Sequence, residues 1–176
     1  MKNKEFVLSR EIIEELIKEK GLVSNFIDLK TQLTPGGFDL TVAKIFSFSS
    51  GGVLDFSNKE RSLPKATEVK PKKVNKKDKF GWWNLKKGCY KVVTNEVVSL
   101  PNDLMAIAFS RSSLLRMGVF AQNAVWDAGF EGKSEFMLVV ENTFGLRLKE
   151  NARVAQLVFL RTAKTNKGYQ GIYKNL

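Results

Sequence analysis

Between Ser9 and Gly21 the apolar residues stand at Ile12, Ile13, Leu16 and Ile17, a spacing that draws one stripe along a helix. Ser9 sits where an N-cap belongs, Glu11 lies in the first turn, and Gly21 is suited to end the helix in the left-handed conformation. One N-terminal helix is therefore expected, with its stripe used for packing. From residue 31 onward the pattern changes. Pro, Gly, Asn and Ser separate short segments rich in Val, Ile, Phe and Thr, which marks a sandwich or barrel and not a series of βαβ units. Strands are expected over residues 38–48, 88–93, 105–109, 136–140 and 154–160. Residues 65–79 carry seven lysines and few apolar side chains, so they read as an exposed loop or flexible insertion.

With 176 residues, 43% of them apolar and 11% aromatic, the chain can bury a real core, and one domain over 1–176 is expected. The net charge of +11 and pI near 9.8 suit polyanionic partners, although such a surface speaks to steering before it names a ligand. Trp82 and Trp83 follow the lysine-rich stretch and are not interleaved with it, so no specific nucleic-acid partner is expected. Histidine is absent and Cys89 is the single cysteine. Zinc ligand sets, His-dependent triads, zinc-dependent base deamination and an internal disulfide are thereby excluded. A metal here has to be a hard cation held by carboxylate or phosphate oxygens, which points to magnesium. No apolar run approaches about 18 residues, and the opening residues do not read as a secretory signal. No membrane partner and a cytoplasmic location are expected.

The chemistry concentrates in residues 109–132. Arg111 and Arg116 supply two guanidinium groups, and Ser110, Ser112 and Ser113 three hydroxyls, the side chains that grip a polyphosphate. A few residues on, Asp127 stands alone among apolar neighbours before the small turn of Ala128 and Gly129, placed to act as a general base. Residues 127–132 read as a hairpin tip whose main-chain groups face a ligand, or as an ordinary hairpin with a surface Asp and a core Phe. In the first reading Phe130 packs against a sugar and disfavours a ribose hydroxyl. Asp39, after a glycine turn, either holds a metal-bound water, orients a neighbouring side chain or shapes the turn. Arg153 and Gln156 lie three apart on an expected strand, which places them on opposite faces. The tail over 164–176 carries Tyr169 and Tyr173 and reads as a lid able to stack on a ligand, or as a frayed end.

Taken in order, these stretches resemble the superfamily of trimeric dUTP pyrophosphatases and dCTP deaminases. Residues 37–40 (Gly-Phe-Asp-Leu) are similar to its first motif, 111–114 (Arg-Ser-Ser-Leu) to its second, 127–132 (Asp-Ala-Gly-Phe-Glu-Gly) to its third and 153–157 (Arg-Val-Ala-Gln-Leu) to its fourth. The resemblance implies a mainly β fold, a distorted jelly-roll barrel assembled as a homotrimer with sites between subunits, so that Arg153 and Gln156 can serve different neighbours. Deaminases of the family carry a glutamate base three residues before the position of Asn142, where this chain has Val139; Glu135 and Glu141 are nearby. The tail resembles those of the deaminase branch or of archaeal-type dUTPases, Phe130 replaces the family's common tyrosine, and Trp126 replaces a smaller aliphatic residue.

The activity so implied is hydrolysis of dUTP to dUMP and pyrophosphate with Mg2+. Asp127 is the catalytic residue and Asp39 the metal contact through water. Arg111, Ser112, Ser113 and Gln156 bind phosphates, with Arg116 or Arg153 assisting from a neighbouring subunit. Main-chain groups near Ala124 and Asp127 read uracil, Phe130 packs on deoxyribose, and Tyr169 or Tyr173 closes the site. Deamination of dCTP, alone or combined with dUTP hydrolysis, is the first alternative, and a non-catalytic nucleotide-binding regulator the second.

Overall fold

A computed structural model describes residues 6–174. Helix α1 (Arg10–Lys20) begins after Ser9, in extended conformation, and stops at Gly21, whose φ of 66° lets its N–H return to the carbonyl of Ile17 and the N–H of Leu22 to that of Leu16. Ile13 and Ile17 are buried, with Ile12 and Leu16 packed beside them, so the stripe is a core face. The chain continues through β1 (Val23–Ser24), α2 (Leu29–Gln32), β2 (Leu33–Thr34), β3 (Gly37–Phe48), β4 (Ala66–Val69), β5 (Trp82–Leu85), β6 (Gly88–Ser99) and β7 (Leu104–Ser110). It ends with α3 (Ser112–Arg116), β8 (Val119–Gln122), β9 (Glu131–Val140), β10 (Leu146–Lys149) and β11 (Arg153–Arg161).

The fold is mainly β. One sheet runs β7-β11-β3-β6-β9-β8, with β1 added to β6 and β2 and β4 to β3. Ser110 stitches its two ends: its Oγ accepts from Ala121 N–H at 2.7 Å and donates to the Ala121 carbonyl. The paired Ala106 and Trp126 add a backbone bridge there, and the sheet becomes a nearly closed barrel of the distorted jelly-roll kind. The core lies inside it, built from Phe38, Leu40, Ile45, Leu138, Leu157 and Phe159 among others. No helix among the described residues is long and apolar enough to cross a membrane.

The five expected strands lie within β3, β6, β7, β9 and β11, but β6 and β9 run further than the pattern indicates. In β6 the continuation holds Thr94 and Glu96, polar residues on the buried face within a register irregularity between Val93 and Val97. Part of the lysine-rich stretch is a strand, β4, paired with the outer end of β3, while all seven of its lysines stay exposed. The single expected helix has two short companions. One of them, α2, is held by Asp28, whose carboxylate accepts from Thr31 N–H at 2.8 Å.

Glu96 is fully buried, and burial is the larger cause that pushes its carboxyl above the ordinary range, against hydrogen bonds from Thr41 and Gln32. A group whose folded pKa exceeds its unfolded value contributes stability below the unfolded value and loses it as pH rises through the folded one. The stability of wild type relative to Glu96→Gln is therefore expected to fall as pH rises from 4.5, read by urea unfolding at each pH. A difference that grows with pH over that range would show the opposite shift.

Candidate active site

The hairpin 127–132 forms one wall of a cleft of about 510 Å3. Ala124, Asp127, Phe130, Tyr169 and Tyr173 all line it, so five of the residues singled out by sequence meet in one place. Asp127 is exposed at the cleft and its carbonyl accepts from Phe130 N–H at 3.0 Å, closing the turn that aims both side chains. Trp126 supports that turn from below: it is buried, and its Nε1–H donates to Ser134 Oγ at 2.8 Å. A large ring with a satisfied polar atom explains its place in the core.

The tail folds back over this turn. Tyr169 N–H donates to the Ala128 carbonyl at 2.8 Å, and its ring meets Phe130 edge-on at 5.5 Å between centroids. Gly129, at φ 80°, makes the close approach possible, because a Cβ there would come within 2.7 Å of both Gly168 Cα and Asn102 Oδ1. Gly129→Ala is expected to cost about 1–3 kcal/mol from backbone strain and to release residues 164–174 to limited proteolysis. Unchanged cleavage of the tail in that variant would mean that the glycine contact does not hold it. The last two residues of the expected lid, 175 and 176, lie outside the described residues.

Arg111, Ser112, Ser113, Arg116, Arg153, Gln156 and Asp39 do not line this cleft. Most of them gather elsewhere. Asp39 is 2% exposed, and one carboxylate oxygen takes Arg111 Nε at 3.0 Å and Arg153 NH1 at 3.1 Å. Burial pushes its carboxyl above the ordinary value while the two guanidinium groups pull the other way. Ser112, Ser113 and Arg116 follow on α3, exposed, with Arg116 NH1 reaching Ser112 Oγ at 3.4 Å. Gln156 donates to Thr34 Oγ1 at 2.6 Å.

The opposite-face expectation for Arg153 and Gln156 is corrected here. Thr41 faces Arg153 but Leu40 faces Ala155, so Val154 is an extra residue in a β-bulge. Val154 and Ala155 are buried in succession, and the alternation reverses. Gln156 stands opposite Asp39, and Arg153 contacts Asp39, so both share one face within a single chain.

Val139 is buried, so no carboxylate occupies the position that the resemblance gives to a deaminating glutamate. Glu141 pairs with Lys87 away from the cleft. Glu135 does line the cleft, held by Lys91 at 3.1 Å, a diagonal pair between β6 and β9 that only the cross-strand register exposes. Among the described residues no group of three or more His, Cys, Asp or Glu stands ready to hold a metal ion. Asp39 answers to two guanidinium groups, which repel a divalent cation, and the geometry therefore fits its orienting role and not that of holding a metal-bound water.

A family model described as dCTP deaminase-like matches residues 7–162. A probable deoxyuridine 5'-triphosphate nucleotidohydrolase of Archaeoglobus fulgidus is 45% identical over 168 residues, covering 96% of this chain and 95% of that one. Its namesake in Methanosarcina barkeri is 44% identical over 171 residues, with 96% of each chain covered. The deoxyuridine 5'-triphosphate nucleotidohydrolase of Methanocaldococcus jannaschii is 37% identical over 152 residues, 85% of this chain and 93% of that one. In structure the chain is similar to 2'-deoxycytidine 5'-triphosphate deaminase from Agrobacterium tumefaciens, with a TM-score of 0.63 at 22% identity, which bears on the fold alone. That match covers 90% of this chain and 48% of the other, so this chain spans about half the length of that structure. With a family model matching most of its length and relatives at this identity, the chain belongs to the dCTP deaminase-like family.

Proposed function

We propose that the protein hydrolyses dUTP to dUMP and pyrophosphate. The observation that carries the reading is the meeting of Asp127 with Ala124, Phe130 and Tyr169 in one cleft, in a chain whose relatives bear that activity in their names. Asp127 takes a proton from the water that attacks the α-phosphorus; the bond to the bridging oxygen breaks and pyrophosphate leaves. Main-chain groups near Ala124 and Asp127 read the uracil edge, Phe130 packs on deoxyribose, and Tyr169 or Tyr173 covers the nucleotide. Magnesium arriving with the triphosphate would supply charge neutralisation for the developing negative charge. A cytoplasmic setting goes with this chemistry.

Arg111, Ser112, Ser113 and Gln156 bind phosphates, with Arg116 or Arg153 assisting and Asp39 orienting Arg111 and Arg153. These groups do not line the cleft of their own chain, which supports a site completed by a neighbouring copy in a homotrimer. Exposed apolar residues around α3, namely Phe109, Leu115, Met117 and Phe120, give such a neighbour a surface to cover. Incubation of the purified protein with dUTP and dCTP separately, followed by product identification, tests the reading. Pyrophosphate and dUMP from dUTP are expected, without ammonia from dCTP. Ammonia release would place deamination first, and tight dUTP binding without any product would make the protein a nucleotide-binding regulator.

A further inference from the structure

We propose that Glu96 is a positioning residue for the guanidinium groups of Arg111 and Arg153, acting through the backbone around Asp39; this rests on the phosphate-binding role proposed for those groups. Glu96 is 0% exposed and lines neither the cleft nor the arginine cluster. Its Oε1 accepts from Gln32 Nε2 at 2.7 Å and from Thr41 Oγ1 at 2.5 Å, and its Oε2 from Thr41 N–H at 2.9 Å. Asn95 Nδ2 donates to Thr41 Oγ1 at 2.9 Å, which leaves the hydroxyl hydrogen of Thr41 for Glu96. Both carboxylate oxygens therefore act as acceptors, and their donors converge from two separate segments.

Each segment leads to the arginine cluster. Gln32 Nε2 also donates to the carbonyl of Asp39 at 2.9 Å, and Gln32 Oε1 accepts from the N–H groups of Ile27 and Asp28. The residue before it, Thr31, offers its carbonyl to Arg153 NH1 at 2.8 Å, the same nitrogen that reaches Asp39. Thr41, two residues beyond Asp39 on β3, is the register partner of Arg153. The Glu96 carboxylate thus fixes Asp39 directly behind its peptide, the strand just after it, and the carbonyl that aims Arg153. A buried carboxylate is costly, and an apolar residue would fill the volume more favourably. What it supplies instead is a set of charge-assisted bonds that fix backbone geometry.

Two variants separate positioning from simple support. Glu96→Gln keeps the shape but sets an amide N–H against a donor, and Thr41→Val removes one hydroxyl while keeping the backbone N–H. For each, KM and kcat for dUTP, the Kd of inorganic pyrophosphate by calorimetry and the inhibition constant of deoxyuridine are measured per folded molecule. Both variants are expected to raise KM and the pyrophosphate Kd about tenfold, the scale of one lost hydrogen bond, with kcat and deoxyuridine inhibition within about threefold. Unchanged constants per folded molecule, with only the melting temperature lowered, would overturn the proposal. So would an equal weakening of deoxyuridine and pyrophosphate. Should wild type release no pyrophosphate from dUTP, the activity reading fails, and the pyrophosphate Kd still decides the role of Glu96.

Discussion

Asp127→Asn is expected to lower kcat for dUTP hydrolysis on the order of 10³-fold, as the loss of a general base does, while the Kd for a non-hydrolysable dUTP analogue stays within a factor of three or so. The reason lies in the local geometry. The Asp127 carbonyl closes its own turn with Phe130 N–H, so the change to an amide leaves the backbone of 127–130 in place and removes only the proton acceptor. Steady-state kinetics beside calorimetric binding provide the check. If binding falls as far as turnover, the side chain holds the turn and does not take the proton.

The second large effect concerns stability. The double variant Arg111→Met, Arg153→Met leaves the carboxylate of Asp39, 2% exposed, without either ion pair. An uncompensated buried charge costs about 3–5 kcal/mol, and that loss is expected in urea unfolding at neutral pH. Adding Asp39→Asn removes the charge and is expected to recover at least half of it. The two arginines are about one-third exposed and hydrate readily, so Asp39→Asn alone is the milder change. A double variant within 1 kcal/mol of wild type would mean that Asp39 finds other compensation.

What the sequence made legible follows from which signals are local. The helix over residues 10–20 carries its cap, stripe and terminal glycine within one segment, and the long strands carry alternating apolar residues. Asp127, Phe130 and Tyr169 meet as expected because one hairpin and the returning tail suffice to join them. The features that were not legible depend on pairing. The ribbon of β5 with β10 joins residues about sixty apart in strands of four, too short for a pattern to show. Glu96 reads as an ordinary polar residue until β6 is seen to continue through it, and the Glu135 to Lys91 pair exists only across two strands. Asp39 offered several roles by sequence; the two guanidinium groups that reach its carboxylate, from β11 and from the residue after β7, are visible only in the fold.

The single surplus residue at Val154 carries a further consequence. Deleting it would leave every phosphate-gripping side chain in the inventory, yet rotate Arg153 half a turn about its strand and point it away from Asp39. A protein could then keep a complete list of motif residues and still lack a working anion grip. Membership of this chemistry is set by strand phase as much as by residue identity.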